Sequence, residues 1–80
     1  MESTEIINQL TKIWRFELDD NDIILEANTT AKDVKGWDSL TNIQLIFATE
    51  RKFKVRFTAT EIMNFQNIGD LADLVLSKLS

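Results

Sequence analysis

Apolar positions recur along most of this chain with the period of a helix rather than that of a strand. From Thr4 to Phe16, Ile6, Ile7, Leu10, Ile13 and Trp14 fall on one face, and Ser3 or Thr4 can cap the start. A second run, from Ser39 to about Lys52 with Asp38 as N-cap, carries two apolar stripes. Leu45, Ile46, Thr49 and Phe53 form one; Leu40, Ile43 and Phe47 form the other. One stripe is enough to dock a helix on a core. The second must face a deeper core, a bound apolar ligand or a partner. Core packing is the commoner fate of such residues. Between these helices lies a long polar connection, 17–37, interrupted by Ile23, Ile24 and Leu25, which are expected to pin it across the helices. A short helical turn near residues 20–25 fits the same run.

After the second helix, Lys54-Val55-Arg56-Phe57 reads as extended. Thr58-Ala59-Thr60-Glu61 matches a capping box and predicts a short helix with Ile62, Met63 and Phe65 turned inward. Asn67 with Asp70 predicts the start of a last helix, whose stripe is Ile68, Leu71, Leu74, Val75 and Leu79. There is no internal repeat, linker or low-complexity segment. The expected architecture is one all-α domain over residues 1–80, a four-helix bundle with a long first loop and a short third helix.

Composition narrows the chemistry. The 80 residues include two Gly and no Pro, which suits helices, and no apolar run is long enough to span a bilayer. The N-terminus lacks the basic and apolar pattern of a signal peptide, and Cys is absent, so a cytoplasmic, disulfide-free protein is expected. Net charge is −4, with nine acids and four bases in residues 1–38 and four acids and five bases in residues 39–80. The basic cluster Arg51, Lys52, Lys54 and Arg56 is read first as a solvated helix end, and neither a nucleic acid nor a membrane is an expected partner. The acidic run Asp19-Asp20-Asn21-Asp22 lacks the glycine and distal Glu of a calcium loop, and no metal is expected.

With no His and no Cys, a serine nucleophile would lack its usual base. No Ser-x-x-Lys starts at Ser39, because Leu40, Thr41 and Asn42 follow it. Phosphate-cradling glycine loops are absent, since Gly36 and Gly69 stand alone. No catalytic residue is therefore assigned. Ser39 has the character of a residue acted upon by another protein.

The stretch Gly36-Trp37-Asp38-Ser39-Leu40 resembles the Asp-Ser-Leu motif of the acyl carrier protein family, which includes peptidyl and other carrier domains. The long preceding loop, the helix that follows, and Ile68-Gly69-Asp70-Leu71 at the last helix extend the resemblance over nearly the whole chain. The resemblance implies that Ser39 is esterified by 4′-phosphopantetheine, donated from coenzyme A by a phosphopantetheinyl transferase. The prosthetic thiol would then hold an acyl or aminoacyl cargo as a thioester, and a monomeric carrier would shuttle it between loading, acyl-transfer and condensing enzymes. A phosphodiester at Ser39 would meet unpaired N–H groups and the positive end of the helix dipole. Around it, Asp38 would cap the helix and bear on transferase recognition, and Gly36 would permit a tight approach into the helix. Trp37 would be a packing anchor or a wall beside the arm. The resemblance makes the second helix the recognition helix and gives Leu40, Ile43, Phe47 and Arg51 to partner contact. Typical fatty-acid carriers have an acidic second helix; here Glu50 is its only acid after Ser39. That difference suggests a polyketide, nonribosomal-peptide or other specialised pathway. A small helical interaction adaptor with a degenerate motif is the alternative.

Overall fold

The computed structural model describes residues 2–79 and contains four helices: α1 (Ser3–Glu17), α2 (Ser39–Phe53), α3 (Ala59–Asn64) and α4 (Ile68–Leu79). No strand occurs among the described residues. The all-α, four-helix expectation holds, with α1 packed against both α4 and α2.

Helix α1 buries Ile6, Leu10 and Trp14, spaced four residues apart, as its central line. Ile7 and Ile13 pack at its margins. The N-cap is Glu2 rather than Ser3 or Thr4; its backbone N–H donates to Glu5 Oε1 at 3.3 Å. At the other end Asp19 adopts a left-handed conformation (φ 52°), the N–H of Asp20 donates to Arg15 O, and that of Asp19 donates to Phe16 O. This is a Schellman stop with Asp in the place more often taken by Gly. The acidic run is thus the end of a helix, continued by a turn in which the Asp22 N–H donates to Asp20 Oδ1 at 3.0 Å. No cluster of His, Cys, Asp or Glu among the described residues is arranged to hold a metal.

The long connection is fastened at three places. Arg15 Nε donates to Ile23 O at 2.7 Å, tying the loop to α1. Ile23 and Leu25 are buried, but Ile24 is 73% exposed. An extended backbone alternates its side chains, so three consecutive apolar residues cannot all point inward. No helical turn forms over 20–25; the one short 3-10 turn lies later, at Ala31–Asp33. The second fastening is to α4. The N–H groups of Ile68 and Gly69, which a helix start leaves unpaired, donate to Thr29 O at 2.9 Å and Ala27 O at 2.8 Å. The third is Trp37, described with the site below.

Helix α2 runs one residue beyond Lys52 and buries Leu45, Ile46, Thr49 and Phe53, the stripe expected to face the core. Thr49 is satisfied there by donating to Leu45 O at 2.8 Å. Lys54 ends the helix in the left-handed region rather than starting an extended segment. Helix α3 is capped as the Thr58–Glu61 box predicts, with Glu61 N–H donating to Thr58 Oγ1 and Thr58 N–H to Glu61 Oε1. Ile62 and Phe65 are partly buried, whereas Met63 is 82% exposed, against expectation. A helix of six residues presents one narrow apolar face, and Met63 falls outside it. In α4, Asn67 Oδ1 accepts from the Asp70 N–H, and Ile68, Leu71, Ala72 and Val75 are buried. Leu79 is exposed and Leu76 takes its place against the core.

Gly69 provides a test of the loop–α4 seam. A Cβ there would stand 2.9 Å from Ala27 O, a backbone atom that the seam holds in place. Gly→Ala inside a helix ordinarily stabilises by up to about 1 kcal/mol. Gly69→Ala is expected to reverse that sign and destabilise by about 1–3 kcal/mol, the cost of overpacking. Thermal unfolding followed by circular dichroism should show a lower Tm; a raised Tm would mean the seam yields freely.

Candidate functional site

The junction between the long connection and α2 is built from five consecutive residues. Gly36 has φ +90°, a conformation that side chains with a Cβ rarely adopt, yet a Cβ there would meet nothing within 4 Å. The glycine is required by backbone conformation and not by close approach, which corrects its expected role. Trp37 turns inward and is buried against Trp14, edge to face, with ring centroids 5.3 Å apart and an interplanar angle of 84°. Its Nε1 donates to Asn42 Oδ1, one turn into α2, at 2.9 Å. Trp37 is thus a packing anchor, and it also contributes to the wall of the cleft beside Ser39.

Asp38 caps α2. Its Oδ1 accepts from the N–H groups of Leu40 at 2.9 Å and Thr41 at 3.0 Å. Thr41 completes the lock from the other side. Its hydroxyl donates to Gly36 O at 2.7 Å and accepts from the Asp38 N–H at 2.8 Å. The Thr41 N–H, and next the Leu40 N–H, hold the Asp38 carboxyl below its ordinary value of 3.8. Two of the amides expected to await an anion are thereby already used. Of the first three, the N–H of Ser39 alone has no acceptor among the described residues. An anion on Ser39 would therefore experience the helix field partly offset by the Asp38 carboxylate, without an open N–H cradle.

Ser39 opens α2, is exposed, and its hydroxyl has no hydrogen bond among the described residues. It borders an open, largely apolar cleft of about 460 Å³ between α2 and α3. Trp37, Asp38 and Ile43 share this cleft, and Ile62, Met63, Phe65 and Gln66 form its opposite side. The exposed Met63 is therefore a cleft residue, not a core residue. Leu40 stands out from the surface at 83% exposure. Ile43 and Phe47 are about half exposed, so the second stripe of α2 does not enter the core. Phe47 and Arg51 lie on a different cleft, further along the helix. The structure thus gathers Trp37, Asp38, Ser39 and Ile43 and leaves Gly36, Leu40, Phe47 and Arg51 off that cleft. Thr41 and Asn42 also build the site. Thr41 at the third position after Asp38 was legible as a reciprocal cap; nothing in sequence marks the Asn42–Trp37 bond.

A family model described as "Phosphopantetheine attachment site" matches residues 4–75. The chain belongs to this carrier family. Its prosthetic group is phosphopantetheine, held covalently. The carrier is similar to the holo acyl carrier protein from Geobacter metallireducens, known from a solution NMR structure, with 42% sequence identity and a TM-score of 0.86. The match covers 92% of this chain and 85% of that one. The residues present fit the group: a free, exposed hydroxyl lies at the head of a helix, with an apolar cleft alongside.

The cap makes a prediction about pH. A carboxyl whose value is lowered on folding stabilises the carrier fully above its unfolded value near 3.8, and that contribution is lost as pH falls through the lower folded value. Asp38→Asn is therefore expected to be less stable than wild type at neutral pH. The gap in urea midpoint should narrow as pH falls below 3.8 and close once Asp38 is protonated in the folded state as well; a gap that does not narrow on acidification would remove the charged cap as its cause.

Proposed function

We propose that Ser39 is the attachment residue and that the chain is an acyl or aminoacyl carrier without catalytic activity of its own. The observation that supports this most is the Ser39 hydroxyl, exposed and free of hydrogen bonds, at the first residue of α2. A buried or engaged hydroxyl would have to break contacts before reacting; this one does not. No imidazole or thiol exists in the chain to activate it. The base that removes its proton is therefore supplied by the phosphopantetheinyl transferase. Once attached, the arm supplies a thiol, which the chain lacks, for thioester formation. The chain's own contribution is placement: Asp38, Thr41 and Trp37 fix the start of α2 so that the arm leaves from a rigid point beside the cleft.

Partner enzymes meet the projecting residues of α2, with Leu40 as the leading contact. Cargo belongs to a specialised polyketide, nonribosomal-peptide or similar pathway and not to housekeeping fatty-acid synthesis. The charge of α2 supports this. Glu50 is its only acid, and one oxygen of its carboxylate already accepts from the Phe57 N–H at 2.8 Å.

Incubation with coenzyme A and a broad-specificity phosphopantetheinyl transferase should add one phosphopantetheine unit to the intact mass of wild type and nothing to Ser39→Ala. An unmodified wild type that is folded would favour the adaptor alternative; a gain retained in Ser39→Ala would keep the carrier function and move the attachment to another residue. The pathway assignment predicts that a fatty-acid malonyl transferase loads the holo form poorly; efficient loading at physiological salt would contradict it.

A further inference from the structure

At the far end of α2 from Ser39 lies a second open cleft, about 650 Å³, lined by Phe47, Glu50, Arg51, Lys54, Val55 and Arg56. Its lining includes two apolar side chains, the 56% exposed Phe47 and the partly buried Val55. The left-handed turn at Lys54 folds the chain back, and the Val55 N–H donates to Glu50 O at 3.2 Å. This turn puts Arg56 beside the helix that carries Arg51. Three exposed cations therefore line one hollow. None forms an ion pair among the described residues, where the single salt bridge is Lys78–Glu61. Glu50, the one carboxylate in the cleft, is engaged with the Phe57 N–H.

We propose that this cleft is a docking site for an acidic partner-enzyme surface that presents an apolar side chain between carboxylates. Charge complementarity selects the acids, and the apolar lining of Phe47 and Val55 selects the apolar anchor. The proposal rests on Ser39 as the attachment residue in one respect, which is continuity of the docking face. Ile43, Phe47 and Arg51 follow Ser39 at successive intervals of four residues, so the cleft begins at Phe47, about 12 Å along the helix from the serine. An enzyme that receives the arm at Ser39 covers this end of α2 as well. An extended polyanion fits less well. Residues 1–38 carry nine acids against four bases, and a long nucleic acid or a lipid surface would meet them too. A compact acidic patch would meet only the local cations, since charges beyond about 8 Å are screened at physiological salt.

The test uses the unmodified chain, so it does not depend on loading at Ser39. The probe is a capped peptide with one leucine between glutamates, titrated into ¹⁵N-labelled protein. The controls are the same peptide with Gln or Lys in place of Glu. The Glu peptide should shift the amides of Phe47, Arg51, Val55 and Arg56, and its affinity should weaken about tenfold between roughly 50 and 300 mM salt. In Arg51→Glu/Arg56→Glu, with an unchanged helical fingerprint, those shifts should disappear. Equal shifts from the Gln or Lys peptide, or none from the Glu peptide, would overturn the proposal. So would shifts of the same amides on concentrating the protein alone, which would make a second copy the occupant, or tighter binding to anionic phospholipid vesicles than to the peptide. Full loading of Ser39 with no peptide binding would defeat this docking site and leave the carrier function intact.

Discussion

The edge-to-face contact between Trp14 and Trp37 fixes where the long connection ends and α2 begins. Trp14 is wholly buried, and its Nε1 has no hydrogen-bond partner among the described residues. Leaving that donor unpaired costs about 1–3 kcal/mol. Burying an indole of roughly 200 Å² returns about 5 kcal/mol at 25 cal/mol/Å², so packing outweighs the orphaned donor. Trp37 then connects two elements that share no sequence proximity. Its ring belongs to the core around α1, and its Nε1 bond to Asn42 belongs to α2. A loop of some twenty residues would otherwise end at a variable place, and the cap at Asp38 would have no fixed position.

From that anchor the chemistry of the serine end follows. Asp38 and Thr41 close the first turn reciprocally, which uses two of the three amides that an anion would otherwise find. What remains at Ser39 is a free hydroxyl, a rigid base and an apolar cleft. Such a site holds nothing tightly. It suits a carrier, whose prosthetic group must be firmly attached at one atom and otherwise free to move between enzymes. The rest of α2 is divided by the same rule: Leu45, Ile46, Thr49 and Phe53 hold the helix down, and Leu40, Ile43 and Phe47 are left for contact.

Much of this was legible in the chain because helix stripes and caps are local signals. The two stripes of α2, the Asp38 cap and the Thr58–Glu61 box are examples. Other features depend on partners distant in sequence. Periodicity could not tell that the stripe of Leu40, Ile43 and Phe47 stays exposed, because nothing in the stripe says that α3 is too short to cover it. Met63 reads as inward-facing from the capping box for the same reason, since the six-residue length of α3 is not written in the box. Ile24 failed because the loop is extended where three apolar residues in a row suggested a pinned cluster. Gly36 and Gly69 have opposite causes that look alike in sequence. One is needed for its positive φ, the other for the approach of Ala27 O. The bond from Trp37 to Asn42 is invisible until the indole's direction is fixed.

The most direct measurement is amide hydrogen exchange at Leu40 and Thr41 in wild type and in Trp37→Leu. Both N–H groups donate to Asp38 Oδ1, so their protection reports whether the cap is formed. If the indole anchor positions the serine end, Trp37→Leu should lose protection at these two amides while the interior of α4, around Ala72 and Val75, stays protected. Protection at Leu40 and Thr41 equal to wild type would contradict the anchor, and the start of α2 would then be held by its cap alone.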